Sequence, residues 1–161
     1  MSQIISANTG GGGGGVTSIN TLTGAITLAA GSNISLTPAG NTITIASTAG
    51  GLTWSREAAT PVPIVVNHGY IPTGGALTTF TLPATAVLGD VIEIVGESGW
   101  NWTIAQNALQ QIQFGNIATT VGVAGSMSST NAYDSVRMVC RVAGASTRWQ
   151  VVSAVGILNL I

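Results

Sequence analysis

A chain of 161 residues with no lysine, four arginines and five acidic residues has very little with which to keep a solitary surface dispersed. Charged residues make up 6% of it, against roughly a quarter in an ordinary soluble domain. The mean hydropathy is positive, +0.49. Yet Gly, Thr, Asn or Pro interrupts every apolar run well short of the ~20 residues that a spanning helix needs. A surface this neutral is expected to be covered by copies of the same chain, since soluble monomers rely on surface charge. The expected class is a structural, oligomeric protein and not an enzyme.

The same composition excludes other classes. The net charge is −1 with no basic cluster, so the electrostatic footprint of nucleic-acid binding is missing. One cysteine, Cys140, rules out an internal disulfide framework and any multi-cysteine metal site. No cofactor or metal is expected. The N-terminus has no charged segment followed by an apolar one, which predicts synthesis in a cytoplasm without a secretory signal.

Three regions follow one another. Residues 1–15 comprise a short lead, Met1–Thr9, and six consecutive glycines, Gly10–Gly15. The glycines read as a tether, because glycine has the most backbone freedom to lose. The lead reads as an anchor peptide with Ile4, Ile5 and Asn8 as its contact residues. A phosphate-cradling loop is excluded, since no Lys-Ser/Thr pair and no helical pattern follow. Residues 16–50 alternate Ile or Leu with Thr or Ser at Ile26/Leu28, Ile34/Leu36 and Ile43/Ile45, the period of half-buried strands. Turn chemistry separates them at Gly31-Ser32-Asn33 and Pro38-Ala39-Gly40-Asn41. Such strands are too few to enclose a core alone, so they predict a β shaft in which three copies wrap one axis.

Residues 51–161 form the third region. Strands are expected at Pro63–Asn67, Thr78–Leu82, Val91–Gly96, Trp102–Ala105, Gln111–Phe114, Thr119–Val123, Ser135–Ala143 and Arg148–Val155. Turns are expected at His68-Gly69, Pro72–Gly75, Leu88-Gly89-Asp90, Ser98-Gly99 and Gly144–Ser146. Ala105–Gln111 has room for a short helical turn. Short strands at this spacing predict a β-sandwich or jelly roll. The fold class is all-β, a short intertwined shaft followed by this domain, as a homotrimer.

The phrases of residues 16–48 resemble the shafts of bacteriophage tail-fibre proteins. Residues 52–161 resemble a β-rich C-terminal domain of phage fibre and tail-spike-like proteins and of some bacterial surface proteins. The matching stretches include Asn67–Ile71, Phe80–Ala84, Gly89–Ile92, Ile104–Ala108, Gln111–Gly115, Ser129–Val136 and the ending Trp149…Gly156. The resemblance implies a homotrimeric virion protein exposed on the particle exterior. The N-terminus would join other virion proteins, and the distal face would meet a host glycan or protein. It implies no enzymatic activity. Two positions depart from the pattern: Leu109 stands where a small residue, usually Gly, is expected, and Trp100-Asn101-Trp102 carries two tryptophans in place of one. A bacterial surface or filament subunit, assembled by strand addition, is the alternative reading.

A few individual residues carry candidate chemistry. His68 is the sole histidine, and a Ser-His-Asp set needs three groups in reach. Its expected place is a turn or interface, with a metal on a threefold axis as the rival. Glu93 and Glu97 flank a strand end, a minimal carboxylate pair for glycoside chemistry. The plainer expectation is that they and Asp90 pair with Arg137, Arg141 or Arg148. Among the tryptophans, Trp149 and Trp102 are expected in the core. Trp100, in a turn, is the candidate receptor contact, joined by Tyr70 and Tyr133. The amide-rich stretch Gln106, Asn107, Gln111 and Gln113 is the candidate trimer interface, because identical amides can satisfy one another around an axis. Asn33 and Asn101 match the glycosylation acceptor pattern by coincidence.

Overall fold

The structure, a computed structural model, describes residues 18–19, 22–23, 27–31, 34–40, 42–47, 51–97 and 99–161. It divides into two compact units, Met1–Gly50 and Gly51–Ile161. Ile4, Ile5 and Asn8 lie outside the described residues. All regular structure among the described residues is β, with no helix.

In the first unit, β1 (Ser18–Ile19) pairs with β2 (Leu22–Thr23), and β3 (Ile34–Ala39) pairs with β4 (Thr42–Ser47), both antiparallel. Gly40 supplies the positive φ of the β3–β4 turn, 57°. The register sets Leu36 opposite Ile45, Pro38 opposite Ile43 and Ile34 opposite Ser47. Side chains alternate across a strand, so Ile34, Leu36, Pro38, Ile43 and Ile45 share one face. The other face is Ser, Thr and Ala. Residues 27–31 are irregular, so Leu28 does not extend a strand as its alternation with Ile26 predicts.

In the second unit two sheets enclose one core. The chain first winds as a coil that visits the sheets in turn. β5 (Thr53–Glu57), β7 (His68–Pro72) and β9 (Val91–Val95) lie side by side in parallel in one sheet. β6 (Val62–Pro63), β8 (Thr78–Thr81) and β10 (Trp102–Ala105) do the same in the other. The remaining strands extend both sheets. β11 (Gln111–Phe114), β12 (Ile117–Ala118), β14 (Ser135–Val142) and β15 (Arg148–Val155) complete the first, in the order β12-β11-β15-β14-β9-β7-β5. β13 (Ser126–Ser129) and β16 (Leu158–Leu160) complete the second, in the order β16-β13-β10-β8-β6.

Period-two alternation aims Ile92 and Ile94, Trp102 and Ile104, Val136, Met138 and Cys140, and Trp149 and Val151 into the core. Trp102 and Trp149 are fully buried, as expected.

Several expectations are corrected. A jelly roll is antiparallel, whereas the first three coils here pair in parallel. His68-Gly69 opens β7 and is not a turn. The turn lies one residue earlier, at Asn67 with φ 59°, a conformation asparagine tolerates. Its amide holds that turn by donating to Asp90 at 3.0 Å and accepting from the Val91 amide at 3.0 Å. Strand pairing therefore stops at Pro63 instead of running to Asn67. Thr119–Val123 is not a strand. Thr119 turns inward, its hydroxyl accepting from the Ile112 amide at 2.9 Å, and Gly122 has φ 89°. Ala105–Gln111 carries a non-helical turn with Leu109 at φ 66°.

Candidate functional site

The coil determines where loops gather. Because β5, β7 and β9 run the same way, their connections to β6, β8 and β10 all emerge on one edge of the second unit. The β13–β14 and β15–β16 connections join them, since Ser135 pairs with both Val95 and Val155. Hydrogen bonds and close contacts stack the loops in sheet order. The Thr73 amide donates to the Glu57 carbonyl at 2.7 Å. A β-carbon on Gly75 would sit 3.4 Å from the Trp100 ring. The Gly96 amide donates to the Asp134 carbonyl at 3.1 Å, and the Thr130 amide to the Ile157 carbonyl at 3.2 Å. Neighbouring strands lie about 4.8 Å apart, so these loops form a ridge.

This edge brings Trp100 and Tyr133 onto adjacent loops. Tyr133 is 62% exposed and has φ 70°, a costly conformation for a residue with a β-carbon. Asp134 fixes its loop: the carboxylate accepts from the Thr130 and Asn131 amides, each at 2.9 Å. Trp100 is half-buried, lying over Gly75. Leu77, Val155 and Ile157 are exposed on the same ridge. They were not foreseen, although the glycines beside them (Gly74-Gly75 and Gly156) mark the turns that present them. Arg56 forms an ion pair with Glu97 beside it, which raises the already high pKa of the arginine.

Tyr70 does not belong to this edge. It is 3% exposed and stacks between His68 and Phe80, with ring centroids 4.6 and 5.3 Å away. Its hydroxyl accepts from the Val65 amide at 2.6 Å and donates to the Val65 carbonyl at 3.2 Å. Its strand parity, shared with Ile94 across the ladder, turns it inward, away from the loop ridge.

The amide-rich stretch is also reassigned. Gln106 is buried, and its Nε2 donates to the carbonyls of Gln110, Thr120 and Gly122 at 2.8, 2.9 and 3.0 Å. Its Oε1 accepts from the Thr119 hydroxyl. Asn107 donates to the Leu82 carbonyl at 2.6 Å, and Gln111 to that of Thr119 at 2.8 Å. Gln113 donates to the carbonyls of Gly115 and Ile117 at 3.0 and 2.9 Å. These amides brace loops of their own chain, Gln106 with both its nitrogen and its oxygen engaged.

A groove of about 370 Å³ lies between the first strands of the coil, lined by Ser55, Glu57, Val62, Pro63, Val65, His68 and Tyr70. His68 Nε2 lies 2.9 Å from Ser55 Oγ, and Ser55 donates to Glu57 at 2.6 Å. The single serine proton goes to the carboxylate, so Oγ accepts from an Nε2–H. A serine nucleophile needs the opposite direction, with its proton passing to histidine. Among the described residues no three His, Cys, Asp or Glu side chains cluster as metal ligands.

The acids are held separately. Glu93 faces Arg137 at 3.9 Å, as expected from their register. Glu97 pairs with Arg56, an arginine outside the expected set. Asp90 accepts from the Val87 amide at 2.8 Å as well as from Asn67, and Arg148 donates to the Leu109 carbonyl at 2.6 Å. The chain matches no protein family and no curated protein.

Proposed function

We propose that this chain is a non-enzymatic virion structural protein, a short trimeric bacteriophage fibre of the tail, collar or head that serves host attachment. The observation that carries this reading is the β3–β4 hairpin. Its apolar face leaves Ile43 49% and Ile45 64% exposed within one chain. A two-stranded ribbon of this kind is marginal in water, and three parallel copies around an axis would cover the face. The residues after the hairpin supply a rigid two-sheet scaffold whose loop ridge presents Trp100 and Tyr133, and binding residues commonly sit on loops held in this way. Three such ridges on one fibre would add weak contacts by avidity. The fibre is made in the host cytoplasm and displayed on the particle exterior, with Met1–Thr9 joining other virion proteins. The partner at the ridge is a host-surface glycan or protein.

Light scattering on the full chain tests the reading. A fixed mass of three chains is expected. A single-chain mass at high concentration overturns it. Polymers of indefinite mass would favour a bacterial surface filament instead, a reading supported by one observation: β5 and β6 end their two sheets at the same end of the coil, where a neighbour's strand could add.

A further inference from the structure

The edge opposite the Trp100–Tyr133 ridge has a different chemistry. The β8–β9, β10–β11 and β12–β13 connections lie there, beside the β6–β7 and β14–β15 connections, the last joined to the first by the Gly144 amide donating to the Ala86 carbonyl at 3.0 Å. Asn107 and Gln110 tie the β10–β11 connection to the β8–β9 connection through the Leu82 and Pro83 carbonyls at 2.6 and 2.7 Å. Gln106 ties it to the β12–β13 connection through Thr120 and Gly122. The tips of these joined loops are Val87, Leu88, Leu109, Val121 and Val123, each between 48 and 77% exposed. The only ionisable group in these three connections is Asp90, which is buried. There is no aromatic residue in them.

We infer that this aliphatic edge is a contact surface between copies of this chain. The inference rests on the trimeric reading above and assigns the face through which the second units meet. Three arguments select a sister copy as the occupant. The first is area. The five residues expose on the order of 500 Å², in the range of the largest patch on a typical monomer and a large part of the ~800 Å² per partner of a stable interface. The second is chemistry. Foreign partners are typically recognised through Trp, Tyr and Arg anchors and complementary charge. Interfaces between identical chains are more apolar, and the five exposed tips are aliphatic, the neighbouring Arg148 guanidinium being engaged with the Leu109, Ser146 and Thr147 carbonyls. The third is rigidity. The buried amides hold the three loops to one another, so little side-chain or loop ordering remains to oppose association. The amide stretch thus serves assembly indirectly, by fixing the aliphatic tips.

Cysteine accessibility tests this on the full chain. Leu88→Cys, Val123→Cys and Ile157→Cys are made singly, the last on the opposite ridge. The three native side chains are similarly exposed within one chain, 74, 77 and 68%, and the native Cys140 is buried. A difference in reaction rate with a maleimide therefore reports coverage beyond the second unit itself, and the mass tells whether a sister chain is there to supply it. Light scattering gives the mass of each sample. The expected result is a mass of three chains with labelling at positions 88 and 123 at least tenfold slower than at 157. Equal rates in a three-chain particle overturn this interface and leave the fibre reading standing. A single-chain mass overturns the fibre reading itself. Slow labelling at 88 and 123 in a single-chain sample would mean that the chain covers its own edge, and overturns the inference as well.

Discussion

The indole nitrogen of Trp102 donates to the backbone carbonyl of Asp134 at 2.8 Å, joining the centre of the core to the loop that exposes Tyr133. The side chain of Asp134 completes the joint. It accepts from the Thr130 and Asn131 amides, and it is buried. Hydrogen bonds to a charged group are worth more than neutral ones, and orphaned buried donors are costly. Asp134→Ala is expected to cost about 3 kcal/mol of stability, measured by urea unfolding. Asp134→Asn should recover part of this, because one acceptor oxygen remains.

Gln106 and Gln113 make opposite predictions although they belong to one amide-rich stretch. Gln106 satisfies three carbonyls and one hydroxyl in a buried site. Gln106→Leu would leave these groups without a partner and is expected to cost about 3 kcal/mol. The Gln113 bonds are exposed, and water can replace them. Gln113→Ala should change stability by no more than about 0.5 kcal/mol. Equal costs for the two substitutions in denaturant unfolding would contradict the buried brace.

Alkaline pH should destabilise the fold through two named groups. Burial raises the Cys140 thiol above its ordinary 9.0 and the Tyr70 phenol above its ordinary 10.0. Both groups are neutral when protonated. The folded chain therefore keeps protons that the unfolded chain has already released, and stability falls as pH rises. The full contribution is present below about pH 9. Each group then removes about 1.4 kcal/mol per pH unit until its folded-state value is reached. Melting temperatures measured between pH 8 and 11 should fall from about pH 9 in the native chain, and from about pH 10 in Cys140→Ala, where Tyr70 alone remains.

Much of the second unit was legible because its central strands are half-buried. Val91–Val95 and Ser135–Val142 alternate inward aliphatics with outward residues, which period two reveals. β5, β7, β12, β13 and β16 were not foreseen. Thr53–Glu57 and Ser126–Ser129 lack an aliphatic alternation, and Leu158–Leu160 is only three residues long. The parallel coil was hidden for another reason. Its partners lie far apart in the chain, Thr53 with His68 and His68 with Ile92, and no local pattern encodes that pairing. The same gap misplaced Tyr70, whose inward direction is defined only by its ladder with β9. Trp100 and Tyr133 could be proposed singly from turn chemistry. Their shared edge could not, because it follows from the coil.

The aliphatic edge gives a prediction about stability alone. Leu109 holds φ 66° at the tip of the β10–β11 turn, a conformation that favours glycine. A left-handed conformation costs a residue with a β-carbon roughly 1–2 kcal/mol, and glycine returns part of that gain through its greater freedom when unfolded. Leu109→Gly is therefore expected to stabilise the unit by up to about 1 kcal/mol in thermal or urea unfolding. A loss of stability would show that the leucine side chain contributes more within its own chain than its exposure implies.

Tyr133 extends the same reasoning to attachment. It is in the same backbone region, at φ 70°, and more exposed than Leu109, so its side chain has few contacts in its own chain to justify the strain. Under the attachment function proposed above, Tyr133→Gly should raise the melting temperature while lowering adhesion to host cells, whereas Tyr133→Phe should preserve both. Strained residues held by a fixed framework recur where a surface has a task other than stability. Here the framework is the Asp134 cap and the Trp102 bond beneath it. If Tyr133→Gly melts lower than the native chain, the strain is being compensated locally. If it melts higher and adhesion is unchanged, the ridge is rigid for a reason other than binding, and the attachment surface must be sought away from Trp100 and Tyr133.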